Sequence, residues 1–306
     1  MPVVLVSVTA PALTLPLKLA PPEFAIVRLP PPANELPLIA PRPVRQSVAR
    51  VWSGIWPTLG AVLITLFVWQ LVVWSGWRSH TALPGPWSVF AQLGADLRRP
   101  DFYAAVGVTL RRAAFGYAIA AAAGFFVAVL IARVRILRRA VGSLLVGLQS
   151  MPSIAWFPLA VLLLERSEGA VTLVVLLDAA PAIAAGLLAG IDQVHPQLIR
   201  VGRAMGAEGL GLYRYVVLPA ALPAFVGGLK QGWAFAWRSL MSAELLVVAT
   251  NQTSIGQQLQ AARNLPDARQ LAALMIVIFV IGILIDSMFG SIDRAVKQRW
   301  GLGVEQ

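Results

Sequence analysis

The sequence predicts an all-α integral membrane protein with six transmembrane helices, and three observations carry that reading. Of 306 residues, 58% are hydrophobic and only 13% are charged, where a soluble domain carries about 25% charged residues. Six apolar runs reach the roughly 20 residues that cross a hydrocarbon core about 30 Å thick as helix. The basic residues, 25 Lys and Arg against 14 Asp and Glu, fall in short clusters between those runs. That is the arrangement of membrane-protein loops and not of a nucleic-acid-binding face.

Residues 1–46 hold 11 of the 22 prolines, among them Pro21-Pro22 and Pro30-Pro31-Pro32. Proline fixes φ and removes a backbone donor, so this stretch is expected to be an extended, disordered cytoplasmic tail. A signal peptide is disfavoured, because no basic segment precedes the apolar Val3 to Val6 and Pro2, Pro11 and Pro16 interrupt it. The transmembrane domain then occupies 47–306, with spans expected at about 57–77, 104–132, 140–164, 170–190, 220–249 and 270–290.

Trp69, Trp74 and Trp77 suit an interfacial anchor at the end of span one. The segment Leu83 to Asp101 carries Val89, Phe90 and Leu93 and is expected as an amphipathic helix on the outer face. In span two, Gly116, Ala120 and Gly124 are spaced by four, which lets another helix approach closely. Pro152 and Pro158 interrupt span three. The carbonyls they release must be satisfied by protein or water, so this span is expected to face a cavity, a plain packing kink being the alternative. Pro219, Pro223 and Lys230 blur the start of span five, and a five-span count stands if one run is interfacial.

Lys and Arg number 16 in the tail, the 133–139 loop, the loop after span four (counted with Lys230) and the C-terminus, against eight on the other side, including Arg111 and Arg112. Arg238 lies inside span five. The bias places both termini in the cytoplasm.

Composition also removes several chemistries. There is no cysteine, and His80 and His195 are the two histidines, so disulfides, thiol nucleophiles, iron–sulfur clusters and ordinary zinc sites are excluded. No G-x-x-x-x-G-K-[ST] run occurs, so ATP energy has to arrive through another protein. No catalytic residue and no metal site is expected, and an intramembrane enzyme has almost nothing to be built from.

The loop of 191–219 is the most informative segment. It holds two helix-compatible stretches around Gly206, with Ile199, Ala204 and Met205 before the glycine and Leu210, Tyr213 and Val217 after it. This layout predicts a helix–turn–helix with an apolar face for a partner. Gly206, nine residues, then Val216, Leu218 and Pro219 resemble the second half of the cytoplasmic motif of ATP-binding-cassette importer permeases, E-A-A, three residues, G, nine residues, I-x-L-P. The first half departs: Arg200 stands where the Glu is expected, followed by Val201 and Gly202.

The resemblance extends over about residues 83–302. Leu83-Pro-Gly-Pro-Trp-Ser-Val, Thr109-Leu-Arg-Arg with Gly116, Met151-Pro-Ser-Ile-Ala-Trp-Phe-Pro-Leu159, Leu218-Pro-Ala-Ala-Leu-Pro223, Ala243-Glu-Leu245 and Ile255-Gly256 are similar to the nitrate, taurine, aliphatic sulfonate and bicarbonate branch. It implies a type I importer permease fold with a cytoplasmic coupling helix, in a bacterial inner membrane. It also implies two cytoplasmic ATPases that bind the ATP and Mg, a second permease subunit that can be a copy of this chain, and an extracytoplasmic solute-binding protein. Docking to the ATPase would fall to Arg200, Arg203, Ala204, Gly206, Ala207, Glu208, Leu210, Tyr213, Leu218 and Pro219.

Ionisable groups at mid-membrane cost about 2.5–3.5 kcal/mol on insertion scales, so each needs a reason. The candidate pathway residues are Gln149, Ser150, Asp178, Arg238, Ser242 and Glu244. Glu244 lies about 9 Å along the helix from Arg238, which makes Asp178 on another helix the better partner for that arginine. Arg238 either lines the pathway and attracts a small anion or belongs to a buried network that fixes helix packing. Glu244 is expected to be structural, and His195 to be a loop residue and not a pH switch. An ion-coupled secondary transporter, using Asp178 and Glu244, is the rival within transport.

Overall fold

The computed structural model describes residues 44–79, 81–132, 135–246 and 253–300. The chain divides into two compact units, 1–59 and 60–306. The described part is helical, with no strand among the described residues. Its helices are α1 (Val44–Trp74), α2 (Pro86–Asp96), α3 (Pro100–Ala132), α4 (Arg135–Ser150), α5 (Phe157–Leu164), α6 (Glu168–Asp192), α7 (Pro196–Ala204), α8 (Gly209–Leu212), α9 (Leu218–Leu246), α10 (Ile255–Asn264) and α11 (Ala268–Arg299).

Five of these are long and apolar enough to cross a membrane: Trp56–Trp74 within α1, then α3, α6, the segment Gly209–Leu246 that contains α9, and α11. They overlap the expected spans one, two, four, five and six, the fifth candidate starting 11 residues before the expected 220 and α11 running nine residues past the expected 290. The third differs. Val141–Ser150 and Ser153–Leu164 are bent by 102° at the break between them, and a 3-10 turn, Ser153–Trp156, fills the elbow. Pro152 denies the ladder a donor there and holds extended backbone, φ −60° and ψ 136°. Pro219 and Pro223, by contrast, lie within the first turns of a continuous α9, so the doubtful start of span five is regular helix and the break belongs to span three.

α6 is the central helix. Its buried residues, among them Val174, Val175, Ile183 and Leu187, point in all directions, and it packs against α3 on one side and α9 on the other. Small residues set those distances. A Cβ on Gly124 of α3 would lie 2.7 Å from the Ala180 carbonyl oxygen, and one on Gly116 would lie 3.1 Å from Val175, so the spacing-by-four in α3 does admit a close neighbour. The tighter crossing was not anticipated: a Cβ on Gly186 of α6 would stand 2.4 Å from Gly228 Cα of α9, and one on Gly190 2.8 Å from Ala224 Cβ. Two backbones in near contact gain packing that larger residues would prevent.

The expected amphipathic helix forms as α2, and it is docked on the bundle. Val89 is fully buried, Leu93 half-buried, and Phe90 exposed, while Gln92 donates to Gln270 of α11 at 2.6 Å. Trp74 and Trp77 are exposed and Trp69 half-buried; Trp77 lies just past the end of α1. The expected tail falls outside the described residues as far as 43, as does the expected end of span five at 247–249. Among the residues used for orientation, Arg111 and Arg112 lie well inside α3 and Lys230 well inside α9.

Candidate functional site

The segment between α6 and α9 folds as two short helices about a left-handed glycine. His195 caps α7 by accepting from Gln197 N at 3.4 Å, with Pro196 in the first turn, so it is a structural cap at the loop's start. Gly206 closes α7 with φ +82°. Gly206 N donates to Arg203 O and Ala207 N to Gly202 O, each at 3.0 Å, the paired bonds that end a helix on a left-handed residue. Glu208 then precedes α8, and a single π turn, Tyr213–Val217, leads into α9.

The apolar residues of this loop divide between two directions. Ile199, Leu212, Tyr213 and Val217 pack on the bundle's own lower core with Ile131, Leu187 and Ile191, and Tyr213 Oη donates to the Ala132 carbonyl at 3.3 Å. Met205 and Leu210 remain exposed at 82% and 65%, joined by Leu198, Val201 and Tyr215. The expected single partner face is thus corrected: half of it, Tyr213 included, anchors the loop to its own bundle. Arg200, Arg203, Ala204, Glu208 and Pro219 are exposed beside the outward residues, while Ala207 and Leu218 are half-buried. A Cβ on Gly202 would lie 2.8 Å from Val216, so the glycine lets α7 seat on the π turn.

Arg238 stands 20 residues into α9, about 30 Å along the helix from the end that joins the 191–219 loop. The expected pairing with Asp178 is looser than a contact ion pair: no ion pair among the described residues joins the two, yet Asp178 feels the charge of Arg238. Arg238 Nε donates to the Ala234 carbonyl at 3.1 Å, and its guanidinium lies over the Phe235 ring, 4.7 Å from the centroid. The side chain is exposed on a cavity of about 840 Å³ between α9 and α11. Ser153 of the elbow, Ser242, Trp233, Trp237, Phe279 and Asp286 also line it. Asp286 is paired with Lys230 at 3.4 Å.

Asp178 is 2% exposed, behind this wall. Its side chain interacts with Ser153, and its Oδ2 has no partner among the described residues. Gln149 and Ser150 bond to their own helix, Gln149 donating to the Leu145 carbonyl at 3.2 Å and Ser150 to that of Gly147 at 2.7 Å. Ser242 likewise donates to Arg238 O at 3.1 Å.

Glu244 belongs elsewhere. At the end of the bundle far from the 191–219 loop it accepts from Arg112 Nη1 at 3.1 Å, Thr109 Oγ1 at 3.0 Å and Gly256 N at 3.1 Å. Thr109 Oγ1 in turn accepts from Ile255 N at 3.1 Å, and Arg112 Nε donates to Glu168 Oε2 at 2.7 Å. One buried node therefore joins α3, α6, α9 and the start of α10.

A family model for binding-protein-dependent transport system inner membrane components matches residues 120–298. The chain belongs to that family. The permease is similar to a probable ABC transporter permease protein of Brucella melitensis, 25% identical over 228 residues that cover 73% of this chain and 92% of that one. The nitrate import permease protein NrtB of Leptolyngbya laminosa is 26% identical over 275 residues, 87% of this chain and 93% of its own. The putative aliphatic sulfonates transport permease protein SsuC of Bacillus subtilis is 25% identical over 262 residues, 86% and 94%. Among solved structures, a chain of the MetNI methionine ABC transporter in an inward-facing conformation matches with a TM-score of 0.53 at 22% identity, over 61% of this chain and 92% of that chain.

The protein is thus a multi-pass inner-membrane transport subunit. Three of the sequence segments that carried the resemblance, Thr109 to Arg112, Ala243 to Leu245 and Ile255-Gly256, meet in this one buried node, at the end of the bundle far from the 191–219 loop. Arg112, which the charge count had assigned to the outer side, is the buried arginine, and Arg238 is the exposed one. The pattern that reveals this is visible in the residue numbers alone: Arg112 lies on the Ala105, Thr109, Gly116, Ala120 face of α3, all of it buried.

Proposed function

We propose that this permease forms, with a second copy of itself, the translocation pathway of an ATP-driven importer for a small anion delivered by an external binding protein. Both termini lie in the cytoplasm, and two ATPases carrying the ATP and Mg dock on the 191–219 loop. The observation that carries the reading is the Gly206 turn, which anchors one side of the loop in the bundle and leaves Leu198, Val201, Met205 and Leu210 exposed beside Arg200 and Arg203. A loop that only connected two spans would have no reason to keep four large apolar residues in water. Gly206, Ala207, Glu208, Leu218 and Pro219 shape that element, while Tyr213 ties it to α3. ATP-driven closure of the ATPases would then move α6 and α9, which enter and leave the loop, as a unit.

The anion is supported by Arg238, whose charge faces the α9–α11 cavity. The NrtB and SsuC relatives are named for nitrate and aliphatic sulfonates. The test is uptake into proteoliposomes containing the permease, with and without the ATPase. Uptake only with ATPase and ATP supports the reading; uptake by the permease alone, driven by an ion gradient, would make it a secondary transporter.

A further inference from the structure

We propose that the α9–α11 cavity is a solute site for an organic anion with an apolar or aromatic body, such as an alkyl or aryl sulfonate, and not for a bare inorganic oxyanion. The inference rests on the pathway reading above and narrows it.

Charge comes first. Of the ionisable side chains lining the cavity, Asp286 is paired with Lys230 at 3.4 Å. Arg238 uses only Nε, on the Ala234 carbonyl. Its Nη groups enter no contact ion pair among the described residues, although the buried Asp178 feels its charge, and its face is held by Phe235. The guanidinium is therefore fixed in orientation with its fork open, the geometry that takes a sulfonate or carboxylate bidentately. Hydroxyls of Ser153 and Ser287 stand in the same lining.

Size and wall chemistry decide the rest. At about 840 Å³ the cavity is in the range of organic-ligand pockets, which are about 300–1,000 Å³ and mostly apolar with a few placed polar groups. Trp233, Trp237, Met241, Met275, Ile278 and Phe279 form most of its surface. Nitrate or bicarbonate would occupy a small fraction of that volume and would leave its apolar wall uncovered. An anion with a hydrocarbon body matches both parts: its head meets Arg238 and its body removes apolar surface from water.

The test uses the permease–ATPase complex in lipid nanodiscs without binding protein, so that nothing upstream filters the solute. Binding of 4-fluorobenzenesulfonate is followed by fluorine NMR line broadening, with butanesulfonate, nitrate and benzyl alcohol as competitors at equal concentration. The expected result is binding displaced by butanesulfonate, with nitrate and benzyl alcohol at least tenfold weaker. Arg238→Gln and the cavity-filling Ile278→Trp should each weaken binding at least tenfold, and Arg238→Lys should restore part of it. Displacement by nitrate as effective as by butanesulfonate, unchanged binding in both variants, or no binding at all would overturn the inference. The last result would mean that lipid or the second permease occupies this face. Failure of the permease to recover its ATPase is a separate outcome that sinks the importer reading before any titration.

Discussion

Arg112 Nη1 lies 3.1 Å from Glu244 Oε1, joining α3 to α9 in a site where both side chains are almost wholly out of water. Each charge is buried because the other is there, with Glu168, Thr109 and the Gly256 amide completing the set. Removing Arg112 strands the fully buried Glu244, and a broken buried pair costs about 3–5 kcal/mol. Arg112→Ala is therefore expected to lower the midpoint of thermal unfolding in detergent sharply, and more than Glu244→Ala, which leaves Arg112 its pair with Glu168. Replacing both residues, Arg112→Met with Glu244→Met, should cost less than the two single losses added together. Additive losses would show that the pair does not interact.

The α6–α9 crossing has no room for a methyl group. Gly186→Ala places Cβ 2.4 Å from Gly228 Cα, and backbone cannot give way as a side-chain tip can. A loss of about 1–3 kcal/mol is expected from such overpacking. Gly227→Ala, next in the chain to the crossing but with open space around it, should be neutral or slightly stabilising. Comparable loss from both would mean that helix propensity, and not the crossing, governs these positions.

Gly206→Ala forces an L residue to φ +82°, at about 1–2 kcal/mol. Because the strain sits in the turn between α7 and α8, the expected effect is weakened ATPase co-purification with the bundle's unfolding midpoint nearly unchanged. Gly206→Asn, which tolerates the left-handed region, should recover most of it.

Arg238→Gln removes the open guanidinium without touching the coupling loop or the buried node. Solute uptake by the full complex is expected to fall at least tenfold, the scale of a charged hydrogen bond of about 1.5–3 kcal/mol, while ATPase co-purification is unchanged. Unaltered uptake would remove Arg238 from the pathway.

Hydrophobic run length made the spans legible in the sequence, because a membrane-crossing helix has to be apolar over its whole length. The Gly206 register was legible too, since a left-handed turn at a fixed distance from Leu218-Pro219 depends on residue type alone. Partner choice among buried charges was not. Arg238 was matched with Asp178, which does feel its charge without a contact ion pair, but the pair that closes is between Glu244 and Arg112, 12 residues into α3 and counted as a loop charge. Which charges meet is fixed by the rotation of each helix, and that follows from glycines such as Gly186 and Gly228, whose significance lies in their mutual contact. In the coupling loop, helical periodicity could place Ile199, Met205 and Tyr213 on apolar faces, but which face meets the bundle depends on α3, distant in sequence.

The outward half of the 191–219 loop is claimed to be the surface through which ATP hydrolysis drives the permease. Its most direct test is co-purification of the ATPase with Met205→Glu combined with Leu210→Glu, two side chains that are exposed and touch none of the core. The account predicts a folded, monodisperse permease that no longer brings down the ATPase. Undiminished recovery of the ATPase by that variant would contradict it.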